Sequence, residues 1–219
     1  MLKPLRYINI HTHHNVSSNN EHIFELINIH DQFDNTNPDV NCSMGLHPWY
    51  LKDLKSQLEA LHRYSNNAHV LAIGECGLDK ICATDWNLQL LAFQSQIELA
   101  QKLNKPLIIH CVRAYSEVLS MLQKVQVPII FHGFNKKPAL AMEIVQQGHY
   151  LSFGATLLKD NNTVHEAFSQ IPPDRFFLET DDAGVNIAEV YQAAAHIRKT
   201  EEEVIILQLQ QNFKKVFGI

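Results

Sequence analysis

Short apolar runs alternate with longer amphipathic segments along most of the chain. The strand-like runs are 7–11, 23–29, 40–46, 70–75, 106–110, 128–132, 150–153 and 176–179. The last five are nearly continuous apolar stretches, as expected of strands buried on both faces of a parallel sheet. Between the runs, apolar positions recur at helical spacing. Residues 51–64 bring Leu54, Leu58 and Leu61 to one face, and 86–103 do the same with Leu90, Phe93, Ile97 and Ala100. Further helices are expected over 115–123, 138–147, 164–169 and 188–198, and a last one over 201–217 that stops at Gly218. Thr163 with Glu166, and Thr200 with Glu203, have the Thr-x-x-Glu form that caps a helix start.

Alternating strand and helix implies parallel strands joined by right-handed crossovers. Eight such strands in one α/β domain predict a closed TIM-type (β/α)8 barrel. No GxGxxG or GxxxxGK[ST] follows the first strand, so the open nucleotide-binding sheets lack their usual signature. Segments 12–22 and 30–39 break the pattern, being polar, rich in Asn and Asp and without an apolar stripe. The first two crossover helices are therefore expected to be reduced or missing. The barrel wall left bare would be covered by the C-terminal helix or by a second copy of the chain in a homodimer.

Composition narrows the class. With 219 residues, 46% hydrophobic content and no linker, repeat or low-complexity run, the chain reads as a single domain over 1–219. No stretch approaches the roughly 18 apolar residues of a membrane span, and Tyr7–Ile10 is too short for a signal-peptide core, so a cytoplasmic protein is expected. A net charge of −5, with no basic cluster beyond Lys136-Lys137 and Lys214-Lys215, argues against nonspecific coating of nucleic acid. Cys42, Cys76, Cys82 and Cys111 lack the spacing of a zinc knuckle or disulfide framework. Three of them sit in apolar runs and read as small buried hydrophobes.

Thirteen histidines are many against the about five of general usage, and what matters is where they fall. Barrel active sites form where the C-terminal ends of the strands converge. The first strand ends in His11-Thr12-His13, the fourth runs into Glu75 and on to Asp79, the fifth ends at His110, the sixth at His132, and the eighth at Glu179-Thr180-Asp181. His11 and His13, at i and i+2, project from one face of a strand and can reach one ion. Four histidines and two acids at five strand ends suit two divalent ions, and Zn²⁺, Mn²⁺, Fe²⁺ or Ni²⁺ better than Ca²⁺. Two divalent ions would outweigh the two carboxylates, making the site about +2 inside a protein of −5 and favouring an anionic, oxygen-rich substrate. Glu75 is the natural bridge between the ions, which together would activate a shared water.

The same segments resemble the TatD family of metal-dependent hydrolases: Ile10–His13 (IHTH), Gly45–Pro48 (GLHP), Ala72–Asp79 (AIGECGLD), Pro106–Ala114 (PLIIHCVRA), Phe131–Phe134 (FHGF) and Leu178–Asp182 (LETDD). The resemblance implies His11, His13 and Asp181 on one ion, His110 and His132 on the other, and Glu75 between them. Asp181 would also take the proton from the attacking water. It implies Mg²⁺-dependent hydrolysis of DNA, including 3′-to-5′ exonuclease action. The chain departs from the family in a short stretch before GLHP, in an abbreviated segment after Asp181, and in the placing of Arg113 three residues after His110.

Around this set, His47 and Arg113 are expected to touch substrate, Arg113 by gripping a phosphate unless it pairs with Glu117. Asp79 either orients a ligand histidine or starts a helix, and Glu179 is expected to be a buried hydrogen-bond partner. Trp49 and Tyr50 are expected to pack under the following helix rather than to stack on a base. His14, His22, His30, His62, His69, His149, His165 and His196 are expected to lie away from the mouth. The function that follows is metal-dependent cleavage of DNA, acting on single strands or short oligonucleotides. The alternatives are hydrolysis of a small amide, lactone or phosphotriester by the same metals, and a binding protein with a vestigial site. The intact ligand set argues against the last.

Overall fold

The computed structural model describes residues 6–14 and 22–219. The chain forms two compact units, one made of the described residues up to Leu26 together with His132–Ile219, the other of Ile27–Phe131. The strands are β1 (Tyr7–Thr12), β2 (Ile23–Ile29), β3 (Cys42–Met44), β4 (Val70–Asp79), β5 (Leu107–Val112), β6 (Ile129–Phe131), β7 (Tyr150–Phe153) and β8 (Phe176–Leu178). Their order in the sheet is the order of the sequence.

In the unit Ile27–Phe131, β2 to β6 pair in parallel, with Ile27 opposite Cys42, Ser43 opposite Ala72, Gly77 opposite His110 and Leu107 opposite Ile129. The crossovers are α1 (Leu54–Tyr64), α2 (Trp86–Leu103) and α3 (Tyr115–Leu122). Asp53 and Asp85 start α1 and α2 by accepting from the backbone N–H of Ser56 and Leu88. Between β2 and β3 there is no α-helix, only a 3-10 turn at Phe33–Asn35, as the polar segment there predicts. Strand β4 runs to Asp79, four residues beyond its expected end at Glu75. Gly74 and Gly77 permit close strand approach. A Cβ on Gly77, whose φ is 144°, would drive into the His110 carbonyl, and one on Gly74 into that of Ile108.

In the other unit, β7 and β8 pair in parallel with Leu151 opposite Phe176, and an isolated bridge joins Thr12 to Asp181. The end of β1 thus lies beside the extension of β8, so the first and last strands of the order are neighbours. The helices are α4 (Pro138–Gln146), α5 (Asn162–Gln170), α6 (Ile187–Arg198) and α7 (Glu202–Phe217). Both expected capping boxes are absent. Helix α5 is capped by Asn161, which accepts from Val164 N–H and leaves Thr163 inside the helix, and α7 begins after Glu201 with no side-chain cap. The reciprocal box belongs to α6, where Asn186 accepts from Ala188 N–H and Glu189 accepts from Asn186 N–H. Gly218, at φ 73°, ends α7 as expected.

Residues 15–21 of the first crossover lie outside the described residues. Helix α7 covers this side of its unit, lying against β1 and β8, with the rings of Phe24 and Phe213 4.6 Å apart and the Tyr7 hydroxyl donating to Glu202. Among the described residues no helix is long and apolar enough to cross a membrane. The four cysteines are free, and burial raises the Cys42 thiol to about 12 against the weaker pull of Lys105. Cys76 is raised too, by burial first and then by Glu75, so neither thiol is a nucleophile at neutral pH.

Candidate metal centre

The unit containing β1 gathers His11, His13, His132 and Asp181. Strand β1 delivers His11 fully buried, with His13 one residue beyond its end. Asp181 is fixed by its own peptide: its N–H donates to the His11 carbonyl (3.0 Å) and its carbonyl accepts from His13 N–H (3.1 Å). A φ of 54° then turns its side chain so that Oδ1 sits 3.5 Å from His11 Nε2 and 3.3 Å from His13 Nε2. The His132 ring lies 4.4 Å from that of His11. Donor atoms of His11, His132 and Asp181 fall within 4.8 Å of one another, so small shifts bring them to the roughly 2 Å bonds of one ion. Burial pushes the Asp181 carboxyl up. Hydrogen bonds from His11 and His13, with the electrostatic pull of the nearby His132 and His11, outweigh burial and hold it well below the usual range. It is therefore an anion at neutral pH, as a ligand must be.

Beneath this group, Glu179 is fully buried, accepts from Gly133 N–H (2.7 Å) and faces His132 Nδ1 at 3.5 Å. This matches the expectation of a buried hydrogen-bond partner. Asn9, on β1, clamps the backbone just before Asp181. Its Oδ1 accepts from Thr180 N–H (3.0 Å) and its Nδ2 donates to Thr180 Oγ1 (2.9 Å).

The unit Ile27–Phe131 carries a second group, His47, Glu75 and His110, with donor atoms within 4.8 Å of one another. Glu75 Oε1 lies 2.8 Å from His110 Nδ1 and 3.1 Å from His47 Nε2. His47 caps the 3-10 turn Pro48–Tyr50 by accepting from Trp49 N–H on Nδ1 (3.1 Å). A neutral imidazole with its lone pair on Nδ1 has its hydrogen on Nε2, so His47 donates to Glu75 and orients it rather than ligating. His110 is set the other way. Asp79 Oδ2 stands 3.1 Å from Nε2, leaving Nδ1 beside Glu75 as the donor for an ion. Asp79 also accepts from Trp49 Nε1 (2.6 Å) and from Ile81 N–H, so it orients rather than starting a helix. Burial opposes its ionisation, but these hydrogen bonds and that of His110 bring its carboxyl below the usual value. Asn28, on β2, is the counterpart of Asn9: it accepts from Glu75 N–H (2.9 Å) and donates to Glu75 Oε2 (3.3 Å).

The expected ligands fall into these two groups, but His132, expected to share an ion with His110, stands instead with His11 and Asp181. Arg113 stands exposed just past β5 with φ 54°, and among the described residues it makes no ion pair. Glu117 pairs with Lys80 instead. Three expectations need correction. Trp49 and Tyr50 are 54% and 46% exposed, not packed under α1, because the indole N–H and the His47 cap hold the turn outward. His30 stacks on Tyr50 at 4.8 Å, and His14 reaches the Asp182 carbonyl at 3.4 Å, so both lie beside the groups rather than remote from them. Asn9 and Asn28 are functional residues that the ligand pattern does not single out. Their signal was the tetrapeptide Ile-Asn-Ile-His, present at both 8–11 and 27–30.

A family model for TatD-related DNases matches residues 8–218. The chain belongs to the TatD family. As a TatD protein it is a metal-dependent hydrolase. A metal-dependent hydrolase of Buchnera aphidicola is 30% identical over 201 residues, covering 84% of this chain and 76% of that protein. A putative deoxyribonuclease of Mus musculus is 32% identical over 137 residues, 60% of this chain and 46% of that one. Among solved structures, the TatD homologue YjjV of Escherichia coli superposes with a TM-score of 0.85 over 98% of this chain and 99% of that one, at 21% identity. An amidohydrolase of Saccharomyces cerevisiae gives 0.76 at 13% identity, covering 98% of this chain and all of that one. Likeness at this level establishes the fold, a TIM-type barrel of parallel strands, and this TatD chain builds it with no α-helix between β2 and β3.

Proposed function

We propose that the chain hydrolyses DNA phosphodiester bonds from the 3′ end of single strands or short oligonucleotides, using divalent ions held by His11, His13, His132 and Asp181 in one unit and by Glu75 and His110 in the other. The donor chemistry fits: imidazoles and two carboxylates, each carboxylate presented by an asparagine clamp on neighbouring backbone. Ions bound there would polarise a phosphoryl oxygen and acidify a water. Asp181, held between His11 and His13, would take that water's proton on its carboxylate. His47 keeps Glu75 oriented through its Nε2–H, and Asp79 does the same for His110. Arg113, with no acid competing for it among the described residues, grips a substrate phosphate through its planar fork.

The observation that carries this reading is the open, unpaired Arg113 beside the His110 strand end, which suits an extended anion better than a small neutral ester. One feature favours a second reading. A cavity of about 500 Å³ lies beside Thr12, lined among others by Asn9, Ile23, Thr180, Val185 and Ile187. That is the size of a small-molecule site and would suit an amide, lactone or phosphotriester. The test is incubation of a 5′-labelled single-stranded oligonucleotide with wild type, Asp181→Asn and His110→Ala under Mg²⁺, Mn²⁺ or Zn²⁺. Stepwise shortening from the 3′ end by wild type alone supports the proposal. Intact DNA with wild type in every metal refutes it and moves the search to small esters and amides.

A further inference from the structure

An exposed tryptophan is unusual, since this residue is highly buried on average. Trp49 is 54% exposed, yet it is not a loose side chain. Its backbone N–H donates to His47 Nδ1 and its indole N–H to Asp79 Oδ2, which pins the ring at both ends. The two acceptors belong to one closed circuit. From His47 it runs through Glu75 Oε1 to His110 Nδ1, and from His110 Nε2 through Asp79 back to the indole. The ring therefore stands at the edge of the Glu75–His110 group, with centroids 5.4 Å from His47 and 6.2 Å from His110. Its neighbour Tyr50 is already engaged, stacked on His30 at 4.8 Å with 27° between planes. Trp49 meets its neighbours only edge to face, at 72° to Tyr50, 78° to His110 and 87° to His47. It is a rigid aromatic surface beside a metal-ligating pair, with no parallel ring upon it among the described residues.

We propose that Trp49 is a stacking platform for an unpaired nucleobase, seating the nucleotide next to the phosphate that is cut. The inference rests on the phosphodiester reading above and gives it a substrate preference. A base with a free face can lie on the indole, whereas a paired and stacked base cannot. Stacking tolerates any sequence, because every base has a π-face. With a net charge of −5 the protein has little to hold nucleic acid beyond Arg113 and the ions its two groups would bind. Losing one base–aromatic stack should thus weaken single-strand binding about tenfold, the equivalent of about 1.4 kcal/mol and within the range of about 1–3 kcal/mol per stacked base.

The test separates the ring from its hydrogen bond. Trp49→Phe and Trp49→Ala both lose the donor to Asp79, but only the alanine variant loses the aromatic face. Both are assayed on an oligothymidylate and on the same strand carrying abasic residues over its last three 3′ positions. Stacking predicts a KM about tenfold higher for Trp49→Ala than for Trp49→Phe on the natural strand, and equal KM values on the abasic one. Equal losses for both variants on both strands would make Trp49 only a support for Asp79 and overturn the proposal. A binding arm uses Trp86→Phe protein, in which Trp49 is the sole fluorophore of its kind, titrated with oligothymidylate in Ca²⁺. Quenching is expected. Quenching without cleavage under any metal would sink the nuclease reading and leave the platform standing, while cleavage without quenching or a KM difference would do the reverse.

Discussion

Replacing Asn28 with alanine should damage the metal centre without touching a ligand. Asn28 is 5% exposed, and its side chain makes three contacts: it accepts from Glu75 N–H at 2.9 Å and from Ser43 Oγ at 3.3 Å, and it donates to Glu75 Oε2 at 3.3 Å. Alanine leaves the buried Glu75 N–H and Ser43 hydroxyl without this acceptor, at about 1–3 kcal/mol for each group left unsatisfied. It also removes a hydrogen bond to a charged carboxylate, worth about 1.5–3 kcal/mol. Allowing for relaxation and some water entry, a loss of about 4 kcal/mol in unfolding free energy is expected. That is a large fraction of the about 5–15 kcal/mol typical of domains. Freeing Glu75 to rotate should also weaken metal binding about 10–100-fold, as loss of an outer-shell partner commonly does. Urea unfolding of metal-stripped protein measures the first effect, and calorimetric titration with Zn²⁺ or Mn²⁺ the second. A variant within about 1 kcal/mol of wild type that binds metal unchanged would refute the claim that Asn28 holds Glu75.

Glu179→Gln keeps an acceptor for Gly133 N–H but removes the carboxylate facing His132 Nδ1. Metal affinity should fall about tenfold or more with little change in unfolding free energy, by calorimetry and urea titration respectively; unaltered affinity would make Glu179 a purely structural acid. For pH, burial, with a smaller push from Arg175, lowers the His149 imidazole to about 4. Its folded pKa lies below its unfolded one, so its contribution is complete above about 6.5 and is lost as pH falls toward 4. His149→Gln should flatten the stability–pH curve in that window, and an equally steep acid arm in the variant would contradict this.

Most of the fold is legible in the sequence because buried parallel strands leave continuous apolar runs. Strand Tyr150–Phe153 and helix Trp86–Leu103 have the expected bounds. What misleads is glycine and the cap. The expected strand stops at Glu75, but Gly74 and Gly77 let β4 lie close on β5 and continue to Asp79. Thr163 offers a capping pattern that Asn161, two residues earlier and a stronger cap, takes over. At the site, the ligand types stand at strand ends and can be read singly. The orienting contacts cannot, because they join residues distant in sequence: Asn28 to Glu75, Asn9 to Thr180, Trp49 to Asp79. Nor does the sequence show that the lone pair of His47 is already used by Trp49 N–H, which makes it a donor to Glu75 rather than a ligand. The exposure of Trp49 runs against its apolar character for the same reason, since a hydrogen bond to Asp79 fixes it outward.

Metal content tests most directly whether the two groups are metal sites. Protein stripped with chelator, reloaded with Zn²⁺ and freed of excess metal is assayed by plasma mass spectrometry, alongside His13→Ala and His110→Ala. Two ions per chain are expected in wild type and one in each variant. Wild type that holds no stoichiometric metal, or variants that both retain the full complement, would contradict the assignment of these two groups as metal sites.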